Sequence, residues 1–250
     1  MNKDLIISRF SKAAISYDTD AEAQRKIAMK MIQLLKPHVA KKVSHAVEIG
    51  CGTGIFSRLL VNAFHPASFT LNDICREMEC RCHDMLTREN YSFVGCDAEQ
   101  WGLPQNTDLL TSCSTFQWFR HPDIFFRKAH SALTTDGLFG FSTFGKENLR
   151  EIGNLTGNSL PYLSLAELSE MLSCAGFDVL CAEEEKIVLT FDTPKDVLWH
   201  MKRTGVNGIS AQKWTKSTLQ RFTEKYIEKF SQSDGKVSLT YHPMYFMAKK

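Results

Sequence analysis

The segment Val47-Glu48-Ile49-Gly50-Cys51-Gly52-Thr53-Gly54 constrains what this chain can become more than any other stretch. Glycines on alternate positions weaken a helix or strand interior, yet they permit backbone conformations closed to other residues. They follow the short apolar run Ala46-Val47-Glu48-Ile49 and precede Phe56, Leu59, Leu60 and Ala63 at helical spacing. Strand, glycine turn and helix make the unit of which parallel sheets are built, and the helix start beyond the turn favours an anionic ligand group. The dinucleotide pattern is G-x-G-x-x-G; here the third glycine comes one residue early.

The pattern on either side continues the alternation. Ala28, Met31, Ile32, Leu34 and Leu35 recur at helical spacing and stop at Pro37. Ser68–Leu71, Tyr91–Val94, Leu109–Ser112 and Leu138–Thr143 read as strands, with helices expected over Met78–Leu86 and Phe125–Leu133. This predicts an α/β fold: a doubly wound, mostly parallel sheet with helices on both faces. Ligands of such sheets bind outside the carboxyl ends of the strands, which places Gly50–Gly54, Asp73, Asp97, Ser114–Phe119 and the region after Thr143 on one lip. Beyond Thr143 the alternation loosens. Ser164–Cys174, Pro194–Arg203 and Lys216–Phe230 look helical, while Phe177–Leu180, Lys186–Phe191, Lys236–Tyr241 and Met244–Ala248 look like strands. We therefore expect one domain over 1–250, with N-terminal lid helices in 1–36, a cofactor-binding core in 40–145 and a helical cap insertion in 194–230 near the C-terminus.

Length and composition limit the function classes. The 250 residues are 43% hydrophobic and 23% charged, ordinary for a globular chain with a sizeable core. A net charge of +2 gives no general argument for a nucleic-acid partner. No apolar run approaches the roughly 18 residues of a membrane span, and the start lacks a leader, so a cytoplasmic protein with reduced thiols is expected. Cys75, Cys80, Cys82 and His83 crowd together, but zinc ligands ordinarily pair as C-x2-4-C with a second pair further on. They read as packing or surface thiols, and no metal is expected.

Acidic residues sharpen the glycine turn. Glu48 stands two residues before the first glycine, where it can face a cationic ligand. Asp73 ends the next strand, about the ~20-residue distance at which a carboxylate meets ribose hydroxyls. Asp97-Ala98-Glu99 follows the third strand, where a carboxylate can accept from an adenine amino group. Each acid alone would pass for a helix cap. Together with the glycines they favour S-adenosylmethionine over a nucleotide or no ligand.

This arrangement resembles the class I methyltransferases, with their Rossmann-like sheet. The resemblance spans roughly residues 40 to 145 and implies cofactor contacts at Glu48, Gly50, Gly52, Gly54, Asp73, Asp97, Ala98 and Ser114. Outside that core the chain resembles the malonyl-acyl-carrier-protein O-methyltransferases of biotin synthesis. The likeness rests on Arg9–Asp18 with Ala21 and Gln24, on Ser114-Thr115-Phe116-Gln117-Trp118, on Met201–Asn207 and on Leu239-Thr240-Tyr241-His242. Two departures touch the cofactor edge: Asn72 precedes Asp73, and Ile74-Cys75 replaces the usual aliphatic-serine-proline. The resemblance implies methyl transfer to the free carboxylate of a malonyl thioester.

The chemistry is consistent. A malonyl carboxylate is ionised at neutral pH and needs no general base, so no His–carboxylate pair has to be found. An anchor for it is still wanted, and Arg suits through bidentate bonding. Arg150 is the candidate, with Tyr17, Trp118 and His242 shaping the pocket. A carrier protein is acidic, and Lys202, Arg203, Lys213, Lys216 and Arg221, followed by Lys225 and Lys229, offer a docking face, although Glu224 and Glu228 are interleaved. Other readings remain open: a methyltransferase for another small acid or a quinone, or a cofactor-binding protein without catalysis.

Overall fold

A computed structural model describes residues 2–39, 42–206 and 215–250. Its centre is a seven-stranded sheet in the order β3-β2-β1-β4-β5-β9-β6. These strands are β1 (His45–Ile49), β2 (Ser68–Asp73), β3 (Tyr91–Gly95), β4 (Thr107–Cys113), β5 (Leu133–Phe144), β6 (Asp178–Glu184) and β9 (Pro243–Lys249). β1 to β5 run parallel to one another; β9 runs antiparallel to both β5 and β6.

Alternation along each strand sends side chains to two separate cores, as the pleat requires. On one face Ala46 of β1 and Phe69 and Leu71 of β2 pack with Ile27, Met31 and Leu35 of α3 (Glu22–Leu35) and with Phe56 and Leu60 of α4 (Ile55–Phe64). On the other, Val47 and Ile49 of β1 and Phe139 and Phe141 of β5 pack with Phe125 and Phe126 of α7 (Pro122–Ala132) and with Leu168 and Leu172 of α9 (Leu165–Cys174). The sheet is thus covered on both sides, as the expected fold class demands. Each fully buried phenylalanine contributes about 2 kcal/mol, and Phe126, Phe139 and Phe141 are wholly inaccessible.

The chain leaves β1 for β2 on one side and reaches β4 on the other, so the strand order reverses there. At such a switch point the loops diverge and open a crevice at the strand ends. Three further helices close over it: α1 (Lys3–Ala13), α2 (Tyr17–Asp20) and the start of α3.

Several elements differ from their expected form. Met78–Leu86 is two short helices, α5 (Met78–Arg81) and α6 (His83–Leu86), because Cys82 leaves the helical region at φ −100° and ψ 5°. Lys186–Phe191 and Lys236–Tyr241 do not join the main sheet. β7 (Ile187–Phe191) and β8 (Val237–Tyr241) pair antiparallel with each other as a separate two-stranded sheet. Between them in sequence come α10 (Pro194–Arg203) and α11 (Lys216–Phe230), each opened by a reciprocal capping box, at Thr193 with Asp196 and at Thr215 with Thr218. α8 (Arg150–Thr156) ties this unit to the sheet: the wholly buried Glu151 accepts from the Thr240 amide at 3.0 Å and its hydroxyl at 2.6 Å.

Candidate active site

The crevice at the switch point is an open-mouthed cavity of about 140 Å³. Its floor is the glycine turn. Gly50 and Gly52 adopt left-handed conformations, φ 69° and 53°. A Cβ on Gly50 would stand 2.2 Å from Thr115 Oγ1, so turn and β4 loop meet in a space only glycine leaves. A Cβ on Gly52 meets nothing within 4 Å, because its open side faces the cavity. Gly54, at φ 83°, caps α4.

Glu48 lies at the end of β1 under this turn, 1% exposed, with both carboxylate oxygens buried and unpartnered. Burial pushes its acid up to about 8. A buried carboxylate without a donor carries a large desolvation cost, which a cation in the cavity offsets. Asp73 ends β2. Its Oδ2 accepts from the Gly52 amide at 2.9 Å and its Oδ1 from the Cys75 amide at 2.8 Å. These bonds favour ionisation, but burial outweighs them and lifts the acid to about 6. Asn72 donates from Nδ2 to the carbonyls of Val94 (2.9 Å) and Cys96 (3.0 Å), binding the β2 end to the chain beyond it and fixing where Asp73 points.

On the far side stands Asp97, with Ala98 buried beside it and both lining the cavity. Lys3 reaches over from α1 and pairs with Asp97 at 2.6 Å and also with Glu99. Ser114, at φ 59°, lines the cavity with a buried, unpartnered hydroxyl. Tyr17 and Trp118 belong to the wall as well. Trp118 meets Phe10 of α1 edge-on at 5.8 Å between ring centroids, and burial lifts the Tyr17 phenol above its ordinary range.

The structure does not bring Arg150 or His242 to this wall. Arg150 is the first residue of α8 and points outward; its side chain is 47% exposed and pairs with Glu147 at 3.0 Å. Its neighbours Glu151 and Ile152 take the inward face, so proximity to the strand end in sequence did not become proximity in space. His242 is buried at the β8–β9 corner. Nδ1 accepts from the Glu147 amide at 3.1 Å, and Nε2 lies 3.3 Å from Glu184 Oε2. Both positions are those of a junction, not of a pocket lining.

Cys75 and Cys82 are buried while Cys80 is exposed. Cys75 makes the cavity wall beside Asp73, 2.9 Å from the Ser11 hydroxyl. Sequence reasoning missed Cys113 and Lys3, which also line the cavity, and put Thr53 and Thr115 on the lip without giving them a role. Thr53 was within reach, since it stands inside the glycine motif; its hydroxyl donates to Asp18 and latches α2 to the turn.

Of the basic residues in the insertion, Lys213 lies outside the described residues. Lys202, Lys216, Arg221, Lys225 and Lys229 are exposed, and Lys202 sits over the Trp199 ring at 5.0 Å. Arg203 is engaged, with Nε 2.8 Å from Asp20.

A family model described as a methyltransferase domain matches residues 19–182. An S-adenosylmethionine dependent methyltransferase from Mesorhizobium loti, 16% identical, superposes with a TM-score of 0.56 over 87% of this chain and 96% of that one. Fold, glycine turn and matched domain together define a methyltransferase of class I architecture. A malonyl-[acyl-carrier protein] O-methyltransferase from Bacteroides thetaiotaomicron is 47% identical over 100% of this chain and 99% of its own length. A protein of the same name from Bacteroides fragilis is 49% identical over 100% of this chain, which covers 51% of that longer protein. The chain belongs to the family of malonyl-[acyl-carrier protein] O-methyltransferases.

Proposed function

We propose that this chain transfers a methyl group from S-adenosylmethionine to the free carboxylate of a malonyl thioester carried on acyl carrier protein, the methyl ester serving pimeloyl and biotin synthesis. The observation that carries the reading is the unpartnered carboxylate of Glu48, buried against a glycine turn whose open side faces the cavity. That site suits a ligand with a cationic end. The residues to hold it are those of the glycine turn Gly50–Gly54, whose backbone lets a ligand approach closely, with Asp73 for the ribose hydroxyls and Asp97 with Ala98 at the adenine side; Ser114 offers a hydroxyl. The cofactor supplies an electrophilic methyl group on a sulfonium.

The acceptor carboxylate is already ionised, so the chain has no proton to remove. A carbon–oxygen bond forms, the carbon–sulfur bond breaks with its electron pair staying on sulfur, and charge is neutralised. The protein's share is to align oxygen, carbon and sulfur and to keep water out. Tyr17, Trp118 and Phe10 serve that end: α1 and α2 lay Phe10 and Tyr17 over the crevice, and the turn after β4 sets Trp118 against Phe10. Lys3 and Arg81 pin these helices down, Lys3 on Asp97 and Arg81 on the Ala14 carbonyl.

Carrier docking falls to the exposed cations of α10 and α11, Lys202, Lys216 and Arg221. Arg203 belongs to the fold. Purified protein with labelled cofactor and malonyl-carrier is expected to yield a product heavier by one methyl group, seen by mass spectrometry. The acetyl-carrier should remain unmodified. Equal labelling of both, or of neither, sinks the reading.

A further inference from the structure

Gln24 has no assigned role, yet it is the least explained polar side chain in the cavity. It sits in the first turns of α3, is 6% exposed and lines the wall. Its Oε1 is buried without a partner. Behind it lies the Tyr241 hydroxyl, which also has Thr204 beside it and shares 2.7 Å with His200 Nε2. Which end of a carboxamide faces which way is decided by its hydrogen-bond network. One orientation of Gln24 donates N–H to the Tyr241 oxygen and leaves Oε1 unpartnered; turned end for end, the carboxamide lets His200 donate from Nε2 to the Tyr241 oxygen and Tyr241 donate its O–H to Gln24 Oε1, with Gln24 Nε2 toward the cavity. Burial disfavours the charged form of His200, and of its two neutral tautomers the relay uses the one with the proton on Nε2.

The relay ends as a neutral donor in a wall that is otherwise acidic. Glu48, Asp73 and Asp97 line the same cavity, and its one lysine, Lys3, is held by Asp97 and Glu99. Arg150 stands outside with Glu147. An anionic acceptor therefore meets no free cation among the described lining residues. We propose that Gln24 selects the acceptor by donating an N–H to its free carboxylate, resting on the carboxyl O-methyltransferase reading above. A neutral donor suits this chemistry. A guanidinium would engage both oxygens and lower their nucleophilicity. One amide N–H holds one oxygen and leaves the other to attack. An acetyl group offers the donor nothing, and a polar group desolvated without a partner is a strong basis for rejection. Gln24, Tyr241 and His200 all lie outside residues 40–145; Gln24 and Tyr241 fall in segments that carry the acceptor resemblance, and His200 directly precedes another, Met201–Asn207.

The test begins with the wild-type chain on a malonyl thioester; no turnover there removes the underlying reading and this inference with it. Given turnover, Gln24→Leu is expected to raise the malonyl-substrate KM about tenfold or more, the scale of a lost buried hydrogen bond to a charged group, with cofactor Kd by calorimetry within about twofold. Gln24→Glu keeps the shape and so guards against misfolding, checked by thermal melting. The carboxylate introduced by Gln24→Glu repels the acceptor when ionised, while its protonated form donates again. The ratio of variant to wild-type kcat/KM should therefore rise as pH falls from 8 to 6, with Glu48, Tyr17, Tyr241 and His200 common to both proteins. Three results overturn the proposal and leave the carboxyl reading standing: an unchanged KM in Gln24→Leu, a cofactor Kd that weakens in step with KM, or a ratio flat across pH.

Discussion

Glu48 shows how one side chain can couple cofactor, pH and stability. Its acid, ordinarily near 4.5, is raised to about 8 by burial, so the ligand-free protein holds it protonated at pH 7. A cationic cofactor favours the carboxylate. Binding should therefore release close to one proton at pH 7, and affinity should climb by up to about tenfold per pH unit toward pH 8 before levelling. Calorimetry in two buffers of different ionisation enthalpy reads the proton directly; heats that do not depend on the buffer would sink the idea. Stability runs the other way. The folded-state pKa lies above the unfolded one, so the contribution is fully present below about 4.5 and is lost as pH rises through about 8. The melting temperature of the ligand-free protein should fall across that range, and Glu48→Gln should flatten the fall. At Gly50 the constraint is steric. An alanine Cβ would collide with Thr115 and hold a left-handed φ, so Gly50→Ala should cost at least about tenfold in cofactor affinity, measured by calorimetry.

At the scale of elements, the α8–β8 tie carries most risk per residue. Glu151 is wholly buried and accepts two hydrogen bonds from Thr240. Glu151→Ala strands an amide and a hydroxyl away from water and should lower the unfolding free energy by about 3 kcal/mol, read from denaturant titration. A loss below about 1 kcal/mol would show that the small sheet is held by packing alone. This contact was invisible in the sequence, where Glu151 reads as an ordinary first-turn acid. By contrast, β1, α4 and β2 were legible because glycines and apolar runs punctuate them. The break at Cys82 was not, since the apolar spacing of Met78, Met85 and Leu86 carries no breaker. Sequence spacing also placed Arg150 close to the lip but said nothing of its direction. Only the packing of Glu151 and Ile152 inward decides that Arg150 faces out. Gln24 was readable as a family position, and its meaning came from Tyr241, far away in the chain.

The whole molecule sets a different question, how a buried cavity serves a substrate tethered to another protein. The chain is nearly neutral, at +2, so attraction for an acidic carrier has to be local. Lys202 on α10 and Lys216 and Arg221 on α11 are exposed, whereas Arg203 is spent on Asp20 of α2. Reversing Arg203 would thus disturb the helices over the cavity and confuse docking with pocket damage. The cleaner variant reverses Lys202, Lys216 and Arg221 to glutamate. Its KM for the malonyl-carrier should rise about tenfold at low ionic strength, while a short malonyl thioester is used with KM within about twofold of wild type. The gap should close toward 1 M salt, where the Debye length shrinks to about 3 Å and exposed charges no longer reach the carrier. A variant equally impaired on both substrates, or impaired on the carrier regardless of salt, would move the docking face off α10 and α11. The outcome also bears on Lys202, whose ammonium sits over Trp199, a ring 59% exposed. If Trp199→Ala alone raises the carrier KM at every salt concentration, the face adds an apolar contact to its charges, and salt then screens only part of the affinity.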